Sequence, residues 1–496
     1  MAAYLLALDQ GTSSSRALLF DQEARLLAVH QIPLPVEFPQ PGWVEQDPEA
    51  IWRSQRDAAR AVLHETLTAE DRLLGIGIAN QRETTIVWER ETLTPIGPAI
   101  GWQCRRTADV CANLEAAHGN TIRARTGLVA DAYFSGPKIA WLLDSVPGAR
   151  ARAEAGELVA GTVDSWLLAK LSGGTLHLTD RTNASRTMLF DIHRMAWDSE
   201  LAAAMRVPIH MLPEVRHSIA EFVLASAETL GFEAPILSVV GDQQSALVGQ
   251  ACHAPGPAKV TYGTGAFLLA HTGTQAAGPV PGLLTTPAVA ANGQPTADPA
   301  YALEGSVFSA GAVVQWLRDE LQLIDESAAI ETLAESTDDS GGVAFVPAFA
   351  GLGAPHWKPD TRAMLAGISR GTGAPQIARA VLESIAFRVR EVVEALEAAS
   401  DTAVAQLRVD GGAARNDLLL QIQANVLQRP VVRPAEIETT AFGAALTAGV
   451  SAGLWPDLQA TSRFWQPAAQ FDPNSDLEQA YTRWEAARDA AIALGS

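Results

Sequence analysis

Residues 9–16 read DQGTSSSR and lie between two short apolar runs at residues 4–8 and 17–20. The two runs predict strands. They must be antiparallel, because a parallel return needs a crossover connection of a dozen or more residues. A third run, at residues 25–31, follows the short turn DQEA. The chain therefore begins with three antiparallel strands, and the first turn between them is rich in glycine and hydroxyl groups.

A similar hairpin recurs about half a chain later. Residues 259–262 and 266–271 predict two strands on either side of Gly263-Thr264-Gly265. The two Gly-Thr turns begin at Gly11 and Gly263, which are 252 positions apart (263 − 11). We interpret this spacing as a duplicated domain, with an N-terminal domain at residues 1–248 and a C-terminal domain at residues 249–496. Chance recurrence of a Gly-Thr hairpin is the alternative.

Helices alternate with these strands, which favours an α/β fold. Asp47-Pro48 predicts a helix N-cap followed by proline at the first helical position. The helix that follows would bury Ile51, Ala58, Val62 and Leu63 on one face. Residues 73–78 and 84–88 predict further strands on either side of the junction NQRE. Strands of both directions together with helices indicate an α/β domain.

Composition excludes several classes of protein. The 496 residues include 36 Lys+Arg and 56 Asp+Glu, which gives a net charge of −20. Apolar residues make up 48% and charged residues 19%, which excludes a disordered or collagen-like chain. An acidic chain without a Lys/Arg-dense run is not expected to bind nucleic acid or an anionic membrane surface. Phosphate can still bind where backbone N–H groups or cations are concentrated locally.

The cysteines and the N-terminus suggest a cytoplasmic protein. Cys104, Cys111 and Cys252 are too few for a disulfide framework, and no pair of them has CxxC spacing. The N-terminal residues MAAYLLALDQ lack the basic and long apolar regions of a signal peptide. No run of 18 apolar residues is present to span a bilayer, so we expect no membrane insertion.

The turn at residues 9–16 has the chemistry of a phosphate-binding loop. Gly11 lets the backbone turn tightly and approach an anion closely. Hydroxyl groups and successive amides can donate to phosphate oxygens, and a guanidinium can bind them in bidentate fashion. Asp9 would repel a phosphate unless Mg²⁺ lay between them, so we expect a metal-bound phosphate beside Asp9. The candidate phosphate ligands are Thr12, Ser13, Ser14 and Arg16. A hydroxyl-rich turn without a ligand is the alternative.

Two glycine turns in the second half extend this pattern. Gly263-Thr264-Gly265 and Gly411-Gly412 could hold further phosphates and let an adenosine lie against the backbone. Asn416 precedes an apolar helical pattern and could be only its N-cap. The sequence contains no GxxxxGK[ST], GxGxxG or HExxH motif. A nucleotide would therefore bind without a P-loop or a Rossmann turn.

Charged side chains follow two of the predicted strands. Arg82 and Glu83 follow the strand at residues 73–78, at a sheet edge where α/β proteins bind ligands. Each hydroxyl of a polyol could donate to Glu83 and accept from Arg82, although a structural ion pair is the alternative. Asp242 follows the apolar run 236–240 and precedes a helical stretch predicted from Ser245. Its alternative role is that of a helix N-cap.

Nine sequence blocks, in order along the chain, resemble the glycerol kinases of the FGGY carbohydrate kinase family. They are DQGTSSSRA, NQRET, GWQCRRTAD, TNASRTMLFDI, GDQQSALVGQ, TYGTGAF, PAFAGLGAPHW, RVDGGAARN and ETTAFGAAL, from Asp9 to Leu446. The resemblance implies two ribonuclease-H-like domains of the actin-like ATPase type that close over Mg·ATP. It also implies phosphorylation of glycerol to sn-glycerol 3-phosphate and a homo-oligomer, either a dimer or a tetramer.

The same resemblance implies roles for particular residues. Asp242 would be the general base, and with Asp9 it would bind Mg²⁺. The residues implied at the substrate are Arg82, Glu83, Trp102, Tyr133, Asp242, Gln243 and Phe267. The residues implied at the nucleotide are Thr12, Ser13, Ser14, Arg16, Thr264, Gly265, Gly311, Gln315, Gly412 and Asn416. Gly311 and Gln315 are four residues apart, hence on one face if their segment is helical.

The chain departs from the family pattern just before Gly241. Some members have a glycine-rich loop ending in arginine there, and that loop binds an inhibitory sugar bisphosphate. Here the stretch is LGFEAPILSVVGD, with Glu233 and no arginine, so we expect weak or absent bisphosphate inhibition. Two other functions stay open: an FGGY kinase acting on a pentulose or a tetritol, and a non-enzymatic actin-like nucleotide switch.

Overall fold

The computed structural model describes residues 3–68, 70–291, 299–400 and 402–495. Strands of the first half are β1 Ala3–Gln10, β2 Ser14–Phe20, β3 Leu26–Pro33, β4 Glu45–Gln46, β5 Arg72–Asn80, β6 Thr85–Glu89, β7 Ala99–Ile100, β8 Leu158–Thr162, β9 Leu178–Asp180, β10 Phe190–Asp191, β11 Ala196–Trp197, β12 Glu214–Arg216, β13 Ile219–Ala225 and β14 Ala234–Gly241. Its helices are α1 Pro48–Thr66, α2 Ala108–Thr126, α3 Ser135–Ser145, α4 Ala149–Glu154, α5 Val163–Leu171, α6 Arg181–Ala184, α7 Ser199–Ala204, α8 Ala227–Leu230 and α9 Asp242–Gly249.

Strands of the second half are β15 Pro257–Tyr262, β16 Ala266–Gly273, β17 Leu284–Ala288, β18 Ala300–Val307, β19 Ala344–Val346, β20 Met364–Ala366, β21 Gln406–Asp410, β22 Val431–Pro434 and β23 Pro467–Phe471. Its helices are α10 Gly311–Asp319, α11 Ala329–Glu335, α12 Ala374–Ser400, α13 Asp417–Leu427, α14 Thr439–Ser451, α15 Leu458–Thr461 and α16 Glu478–Leu494.

Each half contains one large mixed sheet, and the two sheets share a topology. The first has the strand order β3-β2-β1-β5-β14-β13, and the second has β17-β18-β16-β15-β21-β22-β23. From β3 and from β18 onward, successive neighbours pair antiparallel, antiparallel, parallel, parallel and antiparallel in both sheets. This correspondence confirms the predicted fold class of duplicated α/β domains. It also places the two Gly-Thr turns at equivalent positions, after β1 and after β15.

Local sequence signals explain the first elements of the chain. The predicted hairpin at residues 9–16 is the connection between β1 and β2, which pair antiparallel. Asp47 is the N-cap of α1 and accepts a hydrogen bond from the backbone N–H of Glu49, with Pro48 at the first helical position. Ile51 and Ala58 are among the buried residues of α1, as the apolar spacing predicts. These predictions are confirmed.

One predicted helix boundary is wrong. The sequence indicated a helix from Ser245, whereas α9 begins at Asp242, directly after β14. The carboxylate of Asp242 accepts a hydrogen bond from the backbone N–H of Gln243 at 2.7 Å. An acidic residue in the first turn is also stabilised by the positive end of the helix dipole. Asp242 is therefore the first residue of the helix, with Gly241 as its N-cap.

Where the two halves meet, a helix of each half packs against the sheet of the other. Helix α14 belongs to the second half, but its Ala441 and Phe442 share an apolar cluster with Leu5 of the first sheet. Conversely, Leu247 of α9 shares a cluster with Leu269 of the second sheet. The predicted boundary at residues 248/249 therefore falls in the last turn of α9, a helix that packs against both sheets. Cys104, Cys111 and Cys252 are buried free thiols.

Glycines let α9 and α14 cross at close range. A Cβ on Gly443 would lie 1.9 Å from the Ser245 carbonyl oxygen, and one on Gly249 would lie 2.1 Å from the Thr439 carbonyl oxygen. Real Cβ atoms do not approach backbone so closely, so only glycine permits this separation of the helix axes. Among the described residues, no helix is both long and apolar enough to cross a membrane.

Replacing Gly443 by alanine should therefore lower the free energy of unfolding by about 1–3 kcal/mol, the usual cost of overpacking a core. Urea denaturation or calorimetry of the variant measures this. Gly278→Ala is the control, because a Cβ at that position meets no described atom within 4 Å. Equal unfolding midpoints for Gly443→Ala and Gly278→Ala would contradict the close helix crossing.

Candidate active site

The first hairpin presents backbone and hydroxyl groups at the end of β1. The turn is closed by the Gly11 N–H, which donates to the Ser14 carbonyl at 3.0 Å. Ser13 is exposed, and Thr12 and Ser14 are partly exposed. The side chain of Gln31 on β3 donates to the Ser14 hydroxyl at 3.0 Å. The structure thus leaves the predicted phosphate-binding hydroxyls accessible at a tight turn.

Arg16 has partners that the sequence did not reveal. Its guanidinium donates to Asp9 at 2.6 Å and also pairs with Glu438, which lies next to α14. Burial raises the pKa of Asp9, and the positive charge of Arg16 partly offsets this effect. The predicted phosphate ligand Arg16 is thus held between two carboxylates, one from each half of the chain.

The second hairpin borders a cavity of about 390 Å³ in the second half. Two glycines allow the backbone to pack closely beside this cavity. The Gly311 N–H donates to the Gly263 carbonyl oxygen at 2.9 Å, and a Cβ on Gly311 would lie only 2.6 Å from that oxygen. The lining residues are Tyr262, Gly263, Thr264, Gly311, Val314, Gln315, Ser327, Ala328, Ile330, Glu331, Leu382, Ile385, Gly412, Ala413, Arg415, Asn416 and Leu419.

Half of the residues implied at the nucleotide meet in this cavity. Those in its lining are Thr264, Gly311, Gln315, Gly412 and Asn416. Gly311 and Gln315 are on α10, four residues apart, as predicted. Asn416 also caps α13, since its side chain accepts from the Leu419 N–H at 2.7 Å, so the cap does not remove it from the cavity lining. Gly265 is not in the lining; it is close to the Val307 carbonyl oxygen, which a Cβ would approach to 2.4 Å.

Four charged side chains form a buried cluster at the end of β5. Arg82 donates to Glu304 through Nη1 at 2.6 Å and through Nη2 at 3.0 Å. Arg186 donates to Glu83 at 2.6 Å through Nε and to Glu304 at 2.9 Å through Nη2. All four side chains are at most 2% exposed. The charges of two guanidiniums and two carboxylates thus neutralise one another within the protein. Such pairing is needed because an unpaired buried charge is costly.

The ion pair expected between Arg82 and Glu83 is loose. Arg82 Nε lies 3.9 Å from Glu83 Oε1, whereas Glu304 takes both terminal nitrogens of Arg82. Burial raises the pKa of Glu83, and Arg186 opposes this more strongly than Arg82 does. Arg186 and Arg82 together hold the pKa of Glu304 well below its usual range despite burial. The Glu304 carboxylate is therefore ionised.

The backbone of Glu83 adopts an uncommon conformation. Its φ is +63°, in the left-handed region that non-glycine residues seldom occupy. Three side chains donate to its carbonyl oxygen: Thr85 at 2.9 Å, Ser135 at 3.1 Å and Lys138 at 3.2 Å. Lys138 also donates to the Tyr133 carbonyl at 2.7 Å. These bonds hold a strained residue in place, which is typical of functional sites.

Asp242 stands at the carboxyl end of β14, beside this cluster. Its Oδ1 lies 3.2 Å from Arg82 Nε, and 28% of its side chain is exposed. Burial raises the pKa of Asp242, and the charges of Arg82 and Lys259 oppose that rise. A carboxylate of raised pKa that still reaches solvent is suited to accept a proton.

A lysine from the second half supports the residue after Asp242. Lys259 on β15 is fully buried, and its ammonium donates to the Gln243 side-chain oxygen and, at 2.9 Å, to Thr261. Burial lowers the pKa of Lys259 to about 8, although Asp410 and Asp242 favour its charged form. The predicted substrate residue Gln243 is therefore also tied to the second sheet.

The three predicted aromatic residues lie together. Trp102 meets Tyr133 and Phe267 edge-on, each with ring centroids 5.7 Å apart. The Trp102 indole N–H donates to the Thr12 hydroxyl at 2.9 Å, which links this aromatic wall to the first hairpin. Trp102 and Tyr133 also border a cavity of about 590 Å³ that residues 38–44 help to frame.

Sequence reasoning missed four buried charged residues: Arg186, Glu304, Lys138 and Lys259. Arg186 lies inside the block TNASRTMLFDI, but nothing local pairs it with Glu83, 103 residues away. Glu304 is 222 residues from Arg82. The usable signal was a single charge inside an apolar run, as in AYALEGSV of β18 and PAKVTY of β15. Such a charge predicts a buried partner but does not identify it.

The two predicted magnesium ligands lie at one edge of the first sheet. Asp9 pairs in register with Ala79 of β5, and Asp242 follows Gly241, which pairs with Asn80 of the same strand. Within the described ranges, no three His, Cys, Asp or Glu side chains group to hold a metal ion. Mg²⁺ commonly needs only one or two carboxylates, with water and phosphate completing its coordination, so these residues fit a phosphate-bound ion.

Comparison with protein families gives two matches. The N-terminal domain of the FGGY family of carbohydrate kinases matches residues 4–249, and its C-terminal domain matches residues 258–452. The matched regions meet near α9, close to the predicted domain boundary.

Known proteins are similar over nearly the full chain. A glycerol kinase of Delftia acidovorans is 54% identical over 490 residues, which is 97% of this chain and 98% of that protein. A glycerol kinase of Acidovorax ebreus is 52% identical over 99% of this chain and 100% of its own. The crystal structure of Plasmodium falciparum glycerol kinase with ADP has a TM-score of 0.90 at 33% identity, covering 99% of this chain and 98% of that one. This chain belongs to the FGGY family of carbohydrate kinases.

Proposed function

We propose that this chain transfers the terminal phosphoryl group of Mg·ATP to glycerol, giving sn-glycerol 3-phosphate. The observation that carries the proposal is the meeting of Arg82, Glu83 and Asp242 beside an aromatic wall. The relatives described as glycerol kinases, at 52–54% identity over nearly the whole chain, support glycerol as the acceptor. The enzyme class is thus a phosphotransferase acting on an alcohol.

The acceptor is bound by charge on one side and by rings on the other. Arg82 Nε has no hydrogen-bond partner among the described residues, so it is available to a hydroxyl oxygen. Glu83 accepts from another hydroxyl of glycerol. Trp102, Tyr133 and Phe267 pack on the C–H face of the polyol and exclude water, and Gln243 supports the substrate from the start of α9.

Asp242 accepts the proton of the attacking hydroxyl. Phosphoryl transfer needs little covalent help from the protein, so positioning and charge neutralisation dominate. Arg82 lies between the base and the buried carboxylates, and its charge opposes the rise that burial causes in the pKa of Asp242.

The nucleotide lies between the two hairpins. Thr12, Ser13, Ser14 and Arg16 bind the terminal phosphates, and the cavity residues Thr264, Gly311, Gln315, Gly412 and Asn416 bind the rest of the ATP. Gly265 acts by letting the second hairpin pack against Val307. Asp9 and Asp242 hold Mg²⁺, which neutralises charge on the phosphates when bound.

The proposed domains, residues 1–248 and 249–496, supply different parts of this site. The first provides the acceptor pocket, one phosphate hairpin and the base. The second provides the other hairpin and the adenosine cavity. Closure of one domain on the other excludes water, which would otherwise compete with glycerol for the phosphoryl group. A homo-oligomeric state and a cytoplasmic location stay predictions.

An assay of ADP release over a panel of polyols and ketoses tests the function. We expect kcat/KM for glycerol to exceed that for xylulose and erythritol by at least about 100-fold, because each extra carbon must fit behind the aromatic wall. A higher value for a pentulose or a tetritol would assign another FGGY kinase. ATP binding without acceptor-dependent turnover would indicate a nucleotide switch.

Asp242→Asn should lower kcat by roughly 10²–10⁴-fold, the usual contribution of a general base, with glycerol affinity within about tenfold. Steady-state kinetics and glycerol calorimetry measure the two quantities. Asp198→Asn is the matched control, because Asp198 is a buried carboxylate that caps α7. Near-normal kcat in Asp242→Asn would refute its role as base.

Fructose bisphosphate should leave the activity unchanged within about twofold at millimolar concentration, because carboxylates repel it. The segment Gly231-Phe232-Glu233 borders a depression where Arg60 is accompanied by Glu65, Asp71 and Glu233. An inhibition assay at saturating glycerol measures this. Inhibition at micromolar fructose bisphosphate would contradict the expectation.

A further inference from the structure

We propose that Glu304, from the second half of the chain, is a positioning residue for the acceptor site in the first half. It fixes the Arg82 guanidinium by its terminal nitrogens and so leaves Nε for the substrate. Glycerol recognition would then require the two halves to be joined. This inference rests on the proposed function, because it concerns how the same site binds its acceptor.

The contact between Glu304 and Arg82 is end-on and bidentate. Nη1 of Arg82 donates to Oε2 at 2.6 Å, and Nη2 donates to Oε1 at 3.0 Å. This arrangement is the strongest and most directional carboxylate–guanidinium contact. Nη1 is also 3.2 Å from the side-chain oxygen of Gln244. The terminal nitrogens of Arg82 are therefore fully engaged away from Asp242.

The remaining edge of the guanidinium faces the base. Arg82 Nε lies 3.2 Å from Asp242 Oδ1, yet has no hydrogen-bond partner among the described residues. A buried donor without a partner is costly, which favours a ligand atom that would complete it. Glu304 thus determines which edge of Arg82 meets the acceptor, although Glu304 itself is fully buried.

Arg186 joins both carboxylates of the cluster. Its Nε donates to Glu83 and its Nη2 to Glu304, on the same Oε1 that Arg82 uses. The guanidinium lies 5.5 Å from the ring centre of Tyr133, part of the aromatic wall. Glu304 therefore organises Arg82 directly and Glu83 through Arg186.

Glu304 also connects the acceptor site to the second hairpin. It lies in β18, which pairs with β16, the strand that follows the turn containing Thr264. A second bridge runs parallel to it, from Gln244 of α9 to Thr286 of β17 at 2.9 Å. Movement of the second sheet would therefore displace Arg82 and alter glycerol affinity.

Removing the charge of Glu304 should weaken acceptor binding selectively. In Glu304→Gln, two buried guanidiniums would share only Glu83 and Asp242, since the carboxamide offers one acceptor where the carboxylate offers two. Arg82 would then turn toward those carboxylates, and its Nε would no longer be free for glycerol. The residues lining the adenosine cavity do not include Glu304, so ATP binding should change little.

The experiment compares steady-state kinetics and glycerol calorimetry for the full-length wild type, Glu304→Gln and Glu304→Asp. We expect Glu304→Gln to raise the KM and Kd for glycerol by at least about 30-fold, with the KM for ATP within about threefold. Glu304→Asp keeps the charge with a shorter reach and should give an intermediate glycerol KM. This partial rescue is the result that a merely structural role would not produce.

Glu391→Gln is the matched control. Glu391 is a buried carboxylate of α12 that pairs with Arg388 and Arg488, and it lies outside the acceptor site. A glycerol KM within threefold of wild type in Glu304→Gln would overturn the proposal. Equal losses of affinity for glycerol and for ATP in Glu304→Gln would also overturn it, and Glu391→Gln shows the effect of removing a buried carboxylate elsewhere. If Glu304→Gln does not fold, Glu304→Asp decides: a normal glycerol Kd refutes the role of Glu304.

The wild-type measurement separates this inference from the proposed function. If the wild type phosphorylates another polyol instead of glycerol, the proposed substrate is wrong. The same comparison of variants, made with the accepted polyol, then tests Glu304 independently.

Discussion

Charge balance in a buried cluster constrains the rest of this structure. Arg82 and Arg186 face Glu83 and Glu304 with almost no exposure to solvent, and Asp242 borders them. Each of these groups would be costly to bury alone. Glu83 and Glu304 balance the charges of the two guanidiniums. The Nε edge of Arg82 and the partly exposed carboxylate of Asp242 therefore remain for a ligand. The residues that balance one another's charge are thus the same ones that we propose to bind the polyol.

The duplicated architecture explains how these residues meet. The two sheets repeat one order of antiparallel and parallel neighbours, so each presents a Gly-Thr turn after its first strand. Helices α9 and α14 pack across the boundary, and their glycines bring them to close contact. Glu304, Lys259 and Glu438 then extend from the second half to Arg82, Gln243 and Arg16 of the first. Each half therefore depends on the other for its site geometry.

Local sequence patterns predicted much of the fold and part of the site. The hairpins, the capped helix after Asp47 and the aromatic trio around Trp102 are as predicted, because turn chemistry, capping and sequence blocks are local signals. The partners of Arg82 could not be predicted, since Glu304 is 222 residues away and only the tertiary fold joins them. The start of α9 at Asp242 was missed because an aspartate can either precede a helix or occupy its first turn. The roles assigned to the individual site residues stay predictions.

The most direct test of the account is a crystal structure with glycerol and a non-hydrolysable ATP analogue with Mg²⁺. The account predicts an Asp242 carboxylate oxygen at hydrogen-bond distance, about 2.6–3.2 Å, from the glycerol hydroxyl that faces the terminal phosphate. It also predicts that Arg82 Nε contacts the polyol. A glycerol molecule bound away from Asp242, with Arg82 still fully occupied by protein carboxylates, would contradict it.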